Sequence, residues 1–168
     1  MASIKYIWSN RVRFPIFSIS FFKAWAKRIL TLNELIRRNR NRQYLVKRGA
    51  NISDTAEIGR IICNGSARKL EIGDNTFIGS SVEFALHDKI FIGDNVCVND
   101  GVKFLTASHK LDDPKWQHKK AVIKVGDYAW IATNVIILPG VHIGRGAVIG
   151  AGAVLSKNVG DYEIAVGN

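Results

Sequence analysis

Residues 125–154 read VGDYAW IATNVI ILPGVH IGRGAV IGAGAV, five hexads in succession that each begin with an aliphatic residue. The same six-residue spacing runs back through the chain from aliphatic or aromatic leads at Ile72, Ile78, Phe84, Ile92, Val98 and Phe104. An alternation of two indicates an ordinary strand and a period of 3.6 a helix, whereas a period of six turns one large side chain inward on each side of a three-sided coil. The spacing therefore predicts a triangular prism of stacked coils around an aliphatic column.

The coil lengths show where this prism is interrupted. The predicted coils begin at Ile52, Ile72, Ile92, Val125 and Ile143. Two of them carry an eight-residue third side, and the coil that starts at Ile92 is lengthened by a loop at about 108–124. Stacked coils bury a column that no single coil can bury, so about three or more are needed for stability. We expect a mainly β fold over residues 51–168, a parallel β-helix of five coils and the start of a sixth.

The charge of the chain marks a boundary. Residues 1–48 hold 12 of the 24 Lys and Arg residues but one acid, Glu34, whereas the other 120 residues hold 12 basic and 13 acidic groups. All 15 glycines fall at Gly49 or later. The composition thus predicts two units: a basic α-helical N-terminal segment over residues 1–50, and the prism over residues 51–168.

Helical periodicity appears within the N-terminal segment. Apolar residues spaced three and four apart, typical of an amphipathic helix, stand at Phe22, Trp25, Ile29, Leu32 and Ile36. Residues 31–34 have the Thr-x-x-Glu form of a capping box, which predicts that a second helix starts there. We expect the apolar stripe to pack against the open end of the prism and to cap its first coil.

The same segment has features of a membrane-surface helix. Aromatic residues stand at Trp8, Phe14, Phe17, Phe21, Phe22 and Trp25, and basic residues at Arg37, Arg38, Arg40, Arg42, Lys47 and Arg48. Such a combination suits a peripheral contact of residues 1–48 with an anionic leaflet. Nucleic-acid binding is disfavoured, because the aromatics form apolar clusters and no known module is present.

Two further observations indicate the cellular compartment of the protein. The apolar stretch 14–30 is interrupted by three basic residues, so it resembles neither a secretory signal nor a membrane-spanning helix. The two cysteines, Cys63 and Cys97, lie in separate coils without metal-ligand spacing, which predicts free thiols in a reducing compartment. We expect a cytoplasmic protein, peripheral on the inner face of the membrane if the basic segment binds lipid.

Residues 52–168, and the stretch from Val125 to Asn168 above all, resemble the hexapeptide-repeat acyltransferases, in particular the maltose, galactoside and polysaccharide O-acetyltransferases. The resemblance implies a left-handed parallel β-helix, a homotrimer, and acetyl-coenzyme A as donor with no metal required. It also implies active sites in the clefts between subunits. The hand of the helix comes from the resemblance alone, since left-handed crossovers depart from the usual rule.

The resemblance places the catalytic base at His109, in the sequence FLTASH where the loop leaves the prism. Transfer of an acyl group to a sugar hydroxyl needs a group that takes the hydroxyl proton, and imidazole has a pKa suited to that at neutral pH. Neither cysteine belongs to a nucleophile motif, so direct transfer is expected. His118 is expected to be a solvent-exposed loop residue and His142 a residue of the prism surface.

Further site residues are carried over from the family. Those expected to contact the coenzyme are Trp130, Thr133, Ala151, Ser156 and Lys157. Those expected to contact the acceptor are Glu83, His87 and Asp88. For each of them, packing or a solvated surface position is the alternative.

The expected function is acetylation of a sugar hydroxyl in surface-polysaccharide synthesis, on a small-molecule or lipid-linked acceptor. N-acetylation of an amino sugar and a non-catalytic scaffold are the alternatives. A metal lyase on the same prism is disfavoured, because zinc needs convergent ligands and the histidines are spaced 22, 9 and 24 apart.

Overall fold

A long helix precedes a prism of short strands. The structure, a computed structural model, describes residue 9, residues 11–110 and residues 112–168. Trp8, one of the aromatic residues considered for a membrane contact, lies outside these residues. Helix α1 (Ile19–Lys47) begins after Ser18, whose side chain accepts the N–H of Phe21 at 3.1 Å. The chain then enters the prism through Gly49, where a φ of +97° turns the backbone.

Sixteen strands of the described residues form three parallel sheets, one for each face of the prism. Face 1 contains β1 (Asn51–Ile52), β4 (Leu70–Ile72), β7 (Ile90–Ile92), β12 (Ile123–Val125) and β15 (His142–Ile143). Face 2 contains β2 (Glu57–Ile58), β5 (Phe77–Ile78), β8 (Cys97–Val98), β13 (Trp130–Ile131), β16 (Val148–Ile149) and β18 (Ile164–Ala165). Face 3 contains β3 (Ile62–Gly65), β6 (Glu83–Leu86), β9 (Lys103–Leu105), β14 (Ile136–Ile137) and β17 (Val154–Leu155). The predicted parallel β-helix is confirmed.

Strand register follows the hexads. The leads of successive coils pair with one another, as in Ile52 with Ile72 and Ile72 with Ile92. Their side chains form the buried column, in which the rings of Phe84 and Phe104 stack at 5.0 Å between centroids. A second buried position, which the spacing of the leads did not predict, precedes each lead by two residues. It is filled by Ala50, Ala56, Leu70, Thr76, Val82, Ile90, Val96, Val102, Ile123, Ala129, Val135, Val141, Ala147 and Ala153.

The corner between faces 1 and 2 has a left-handed residue three places after the leads Ile72, Ile92, Val125 and Ile143. Asn75 and Asn95 have φ of 53° and 56°, as expected of turn-forming residues. Tyr128 and Tyr162 adopt φ of 61° and 60° at equivalent corners, although bulky residues are rare in this conformation. The guanidinium of Arg145 lies 4.8 Å from the Tyr128 ring, so a neighbouring coil packs on this strained residue.

Aspartate side chains form hydrogen bonds between neighbouring coils along the same corner. The carboxylate of Asp94 accepts the N–H of Asp74 at 2.6 Å, and that of Asp127 accepts the N–H of Asp94 at 2.9 Å. These carboxylates fill the space beside the preceding glycines, so a Cβ added at Gly73 would overlap the Asp94 side chain. The glycine that follows the lead there is therefore required by close packing between coils.

The structure corrects the prediction that a second helix starts at residues 31–34. Helix α1 runs through residues 31–34 without a break. The Thr31 hydroxyl donates to the carbonyl of Lys27 at 2.9 Å, a bond made inside a helix and not at its start. Glu34 forms ion pairs with Arg37 and Arg38 and does not reach back to an N-cap. Formation of the Glu34–Arg38 hydrogen bond lowers the pKa of Glu34, and the positive charges of both arginines add to that shift.

The expected packing of the apolar stripe on the prism is also wrong. The first coil is capped by the C-terminal turns of α1, where Leu45 is buried and Arg42 is nearly so. Arg42 donates to the carbonyl of Ser53 at 2.7 Å and forms an ion pair with Asp54, while the Asn41 amide donates to the carbonyl of Gly59 at 2.8 Å. Backbone carbonyls at the end of the prism need hydrogen-bond donors, so polar side chains contact this end and the apolar stripe of α1 does not. The exposed fractions of Phe22, Ile29, Leu32 and Ile36 are 56%, 67%, 50% and 39%.

Both cysteines are free thiols, as predicted, with Cys63 on face 3 and Cys97 on face 2. Within the described part of the chain, α1 included, no helix has both the length and the apolar character needed to cross a membrane.

Candidate active site

The predicted loop leaves face 3 as an antiparallel hairpin made of β10 (Ala107–His109) and β11 (His118–Lys120). Its strands pair Ala107 with Lys120, Ser108 with Lys119 and His109 with His118. Side chains of directly paired residues lie on the same side of such a ribbon. The hairpin therefore brings together two histidines that are nine residues apart in the sequence.

Thr106 fixes the root of the hairpin. Its buried hydroxyl donates to the carbonyl of Ala85 at 2.6 Å and accepts the N–H of Asp88 at 2.8 Å. Its own carbonyl accepts the N–H of Ala121 at 3.0 Å, where the second strand returns. One residue thus joins the two ends of the loop to the turn at residues 87–88 in the coil before it.

His109 is exposed, and one of its ring nitrogens is already engaged. Nδ1 lies in hydrogen-bond contact with the carbonyl oxygen of Trp116. Because a carbonyl can only accept, the proton of the neutral imidazole is on Nδ1 and the lone pair is on Nε2. The loop holds Trp116 in place by a turn in which the Asp113 carboxylate accepts the N–H groups of Lys115 and Gln117 at 2.9 and 3.4 Å. A free Nε2 on a fixed ring is the geometry of a general base.

A cavity of about 620 Å³ opens beside His109. It is lined by Ser108, His109, Lys110, Asp112 and Lys119 of the hairpin and by Leu138, Pro139 and Ser156 of the next two coils. Of the expected coenzyme residues, Ser156 shares this cavity with the expected base, and Lys157 follows it in the chain. A larger surface groove of about 830 Å³ runs down face 1, where His142 lies exposed, and contains none of the expected site residues.

Two further histidines approach His109. The ring centroid of His118 lies 4.6 Å from that of His109 and 6.5 Å from that of His87. His118 is exposed, as predicted, but its position beside the expected base was missed, because it depends on the hairpin register. Of the acceptor residues, the structure places His87 and Asp88 in the turn below the hairpin. Among residues 11–110 and 112–168, no group of three or more His, Cys, Asp or Glu residues is arranged to hold a metal ion.

Glu83 lies apart from this corner. It opens β6 on face 3, pairs with Lys103, and accepts the Asn64 amide at 3.3 Å. Four residues separate it from His87, and a strand rises about 3.3 Å per residue, so the two lie about 13 Å apart along the face. The structure does not bring Glu83 to His109 within one chain.

The remaining expected coenzyme residues are on the other side of face 3. Trp130 projects from face 2 with 48% of its surface exposed, and Thr133 and Ala151 stand in turns between faces 2 and 3. The carbonyl of Thr133 accepts the N–H of Gly152 at 2.9 Å, so these turns are stacked. Thr133 precedes Leu138 of the His109 cavity by five residues, about 16 Å of strand. A single chain therefore holds the expected coenzyme residues in two separate groups.

Comparison with known proteins supports the resemblance. Residues 123–157 match the family model described as bacterial transferase hexapeptide (six repeats). A maltose O-acetyltransferase from Clostridium difficile 630 has a TM-score of 0.66 and 32% sequence identity, over 76% of this chain and 70% of that one. The hexapeptide-repeat containing acetyltransferase of Vibrio cholerae O1 biovar eltor, solved with acetyl-coenzyme A, has a TM-score of 0.65 and 27% identity, over 92% and 88% of the two chains.

A curated relative gives the same family. A Staphylococcus aureus protein of strain Mu50, provisionally named an acetyltransferase, is 36% identical over 102 residues, which is 59% of this chain and 51% of that protein. The chain thus spans about half the length of this curated relative. With the prism, the hairpin and these matches in agreement, the chain belongs to the hexapeptide-repeat acetyltransferases.

Proposed function

We propose that this protein transfers an acetyl group from acetyl-coenzyme A to a hydroxyl of a sugar acceptor, with His109 as general base. The observation that carries the proposal is the hydrogen bond from Nδ1 of His109 to the carbonyl of Trp116, which leaves Nε2 free to accept a proton. Family membership supports the donor, since the Vibrio cholerae relative was solved with acetyl-coenzyme A.

The reaction is a direct displacement. The acceptor oxygen attacks the thioester carbonyl carbon and forms the new C–O bond, while the proton of the acceptor hydroxyl passes to Nε2 of His109. Collapse of the tetrahedral intermediate breaks the C–S bond, and the proton on His109 neutralises the coenzyme thiolate. The Trp116 carbonyl stays bound to Nδ1 throughout and stabilises the imidazolium, because that ring then donates from both nitrogens.

The site is proposed to be completed by a second subunit of a homotrimer. Ser156 lines the His109 cavity and Lys157 follows it in the chain, whereas Trp130, Thr133 and Ala151 lie across face 3. Packing of two prisms side by side would place Trp130, Thr133 and Ala151 of one subunit against the His109 cavity of its neighbour. In this arrangement Lys110 and Lys119, which line the cavity, provide positive charge for an anionic substrate.

The acceptor is proposed to be a sugar of surface-polysaccharide synthesis, and the protein to work at the inner face of the membrane. The charge of the N-terminal segment supports a peripheral contact with anionic lipid, and the exposed stripe at Phe22, Ile29, Leu32 and Ile36 supplies apolar surface for it. Flotation with vesicles of phosphatidylcholine and phosphatidylglycerol tests this contact. The wild type should float, and a variant with Phe22→Asp and Ile29→Asp should not.

Release of coenzyme A thiol tests the transferase proposal. Acetyl-coenzyme A is supplied with a panel of free, nucleotide-linked and lipid-linked sugars, amino sugars included, and the His109→Gln variant is compared with the wild type. Loss of a general base should lower kcat by about 10²–10⁴-fold. The control is His142→Gln, which removes an exposed histidine from face 1 and should leave the rate unchanged.

Three outcomes oppose the proposal. Equal rates for wild type and His109→Gln would exclude this residue as the base. Transfer to amino sugars alone would give an N-acetyltransferase. No release with any acceptor, together with no coenzyme binding in calorimetry, would favour a scaffold.

A further inference from the structure

Two cavities adjoin where helix α1 crosses the first coil of the prism. One, of about 270 Å³, lies between the helix and the coil and reaches Ile61 and Cys63. The other, of about 510 Å³, opens along the helix from Asn33 to Tyr44. Asn41 and Tyr44 line both cavities, so the two are adjacent, and together they are called the groove here.

The groove is positively charged. Arg40 and Arg48 of the helical segment and Arg60 of the prism line it, and neither cavity is lined by an Asp or Glu residue. Arg37 also borders the groove but is paired with Glu34. The two arginines that cap the first coil, Arg38 and Arg42, do not line it. The groove therefore combines cationic groups from two structural units and has no acid to neutralise them.

Tyr44 holds one of these arginines in a fixed position. Arg48 donates to the Tyr44 hydroxyl at 2.9 Å, and its guanidinium carbon lies 5.3 Å from the centre of the Tyr44 ring. Burial raises the pKa of the Cys63 thiol at the floor of the groove, and the charge of Arg48 acts against that shift. A planar guanidinium on an aromatic support keeps its other N–H groups available for the oxygens of a phosphate.

An apolar surface leads into the groove. Ile36 lines the outer cavity, and Leu32, Ile29 and Phe22 continue from it along α1 at spacings of four, three and seven residues. At about 100° per residue these side chains share one face of the helix, and Ile36 lies about 200° around the helix from Arg38, which faces the prism. A soluble anion would contact only the arginines, whereas a lipid has a phosphate for the arginines and acyl chains for the apolar face of the helix.

We propose that the groove formed by Arg40, Arg48 and Arg60 binds the phosphate of an anionic membrane lipid, with the apolar stripe of α1 lying in the same leaflet. The inference rests on the proposed membrane contact and goes further, because it requires a residue of the prism. Contact through both units would fix the orientation of the prism relative to the membrane.

Vesicle affinity of the full-length chain tests the groove. The vesicles contain phosphatidylcholine with phosphatidylglycerol, and binding is measured for the wild type, Arg60→Gln and Lys124→Gln. Lys124→Gln is the matched control, since it removes one positive charge from an exposed residue on face 1. A direct phosphate contact should make Arg60→Gln about five-fold weaker than the wild type, with a much smaller change for Lys124→Gln.

Each failure has a distinct signature. If the wild type does not bind vesicles, the membrane contact itself is wrong. If the wild type binds but Arg60→Gln and Lys124→Gln weaken binding equally, the membrane contact stands and the groove inference is overturned. Inorganic phosphate is tested separately by its effect on thermal unfolding. Protection of the wild type but not of Arg60→Gln, without an effect of Arg60→Gln on vesicle binding, would assign the groove to a soluble phosphate and overturn the lipid.

Discussion

At the residue scale, the chemistry of this chain depends on main-chain groups that hold side chains in place. The Trp116 carbonyl determines which nitrogen of His109 carries the proton. Thr106 in turn holds both ends of the loop that carries this carbonyl. The proposed base is therefore exposed to substrate, while the loop that orients it is anchored by the buried hydroxyl of Thr106.

Replacement of Thr106 tests this support. Thr106→Val keeps the shape of the side chain but leaves the Asp88 N–H without its acceptor and removes the hydroxyl's bond to the Ala85 carbonyl, which still accepts the N–H of His87 at 3.0 Å. Since unmade buried hydrogen bonds are costly, the free energy of unfolding should fall by about 1–3 kcal/mol, and the rate of acetyl transfer should fall with it. Thr106→Ser keeps the hydroxyl and loses about 1 kcal/mol for one methyl group. Urea unfolding and the thiol-release assay measure both, and a Val variant no less stable than the Ser variant would contradict this role.

The sequence allowed the core residues to be predicted but only part of the site. A lead such as Ile131 is buried because the coil repeats every six residues, and that repeat is visible without a structure. His109 was predicted as the base from the family resemblance, which places that residue at the end of a hexad where the loop leaves the prism. His118 could not be placed beside it, because the register of a hairpin depends on its turn, here residues 110–117, whose conformation no periodicity specifies.

At the element scale, helix α1 shows how tertiary contacts override local signals. The Thr-x-x-Glu sequence at residues 31–34 is a good helix start in isolation, yet the helix had already begun at Ile19. Apolar spacing correctly indicated a helix but not its packing face. The end of a β-helix presents carbonyls, so the residues that meet it are Asn41 and Arg42, and no hydrophobic pattern predicts them.

Arg42→Ala should weaken this cap. The side chain donates to the carbonyls of Ser53 and Ile52 and pairs with Asp54, so its loss should lower the free energy of unfolding by about 1.5–3 kcal/mol. Arg40→Ala, an exposed position two residues earlier, should change it by about 0.5 kcal/mol or less. Urea denaturation followed by circular dichroism distinguishes the two. Equal stability of both variants would mean that the cap does not depend on these bonds.

At the scale of the whole molecule, the separation of the two groups of expected coenzyme residues has a measurable result. His109→Ala and Ala151→Trp should each be inactive in a homotrimer, the first for lack of a base and the second because the indole fills the donor site. If each site uses His109 of one subunit and Ala151 of the next, random mixed trimers from equal amounts should recover about a quarter of the wild-type activity. Thiol release after co-refolding of the two variants measures the recovered activity. No recovery would place the whole site within one chain.

The cap made by α1 also bears on where the solenoid stops. Strands β1, β2 and β3 are the outermost strands of their sheets. An edge strand presents a row of unpaired backbone N–H and C=O groups, and when that row is uncovered another chain can pair with it. Because every coil repeats the same hydrogen-bonding pattern, a molecule stripped of α1 would expose the edges of β1, β2 and β3 for pairing with a strand of another chain. The expected outcome is aggregation through these edges. Helix α1 thus covers the edge of the first coil, and the same Arg42 contacts that stabilise one molecule would keep that edge from pairing with another.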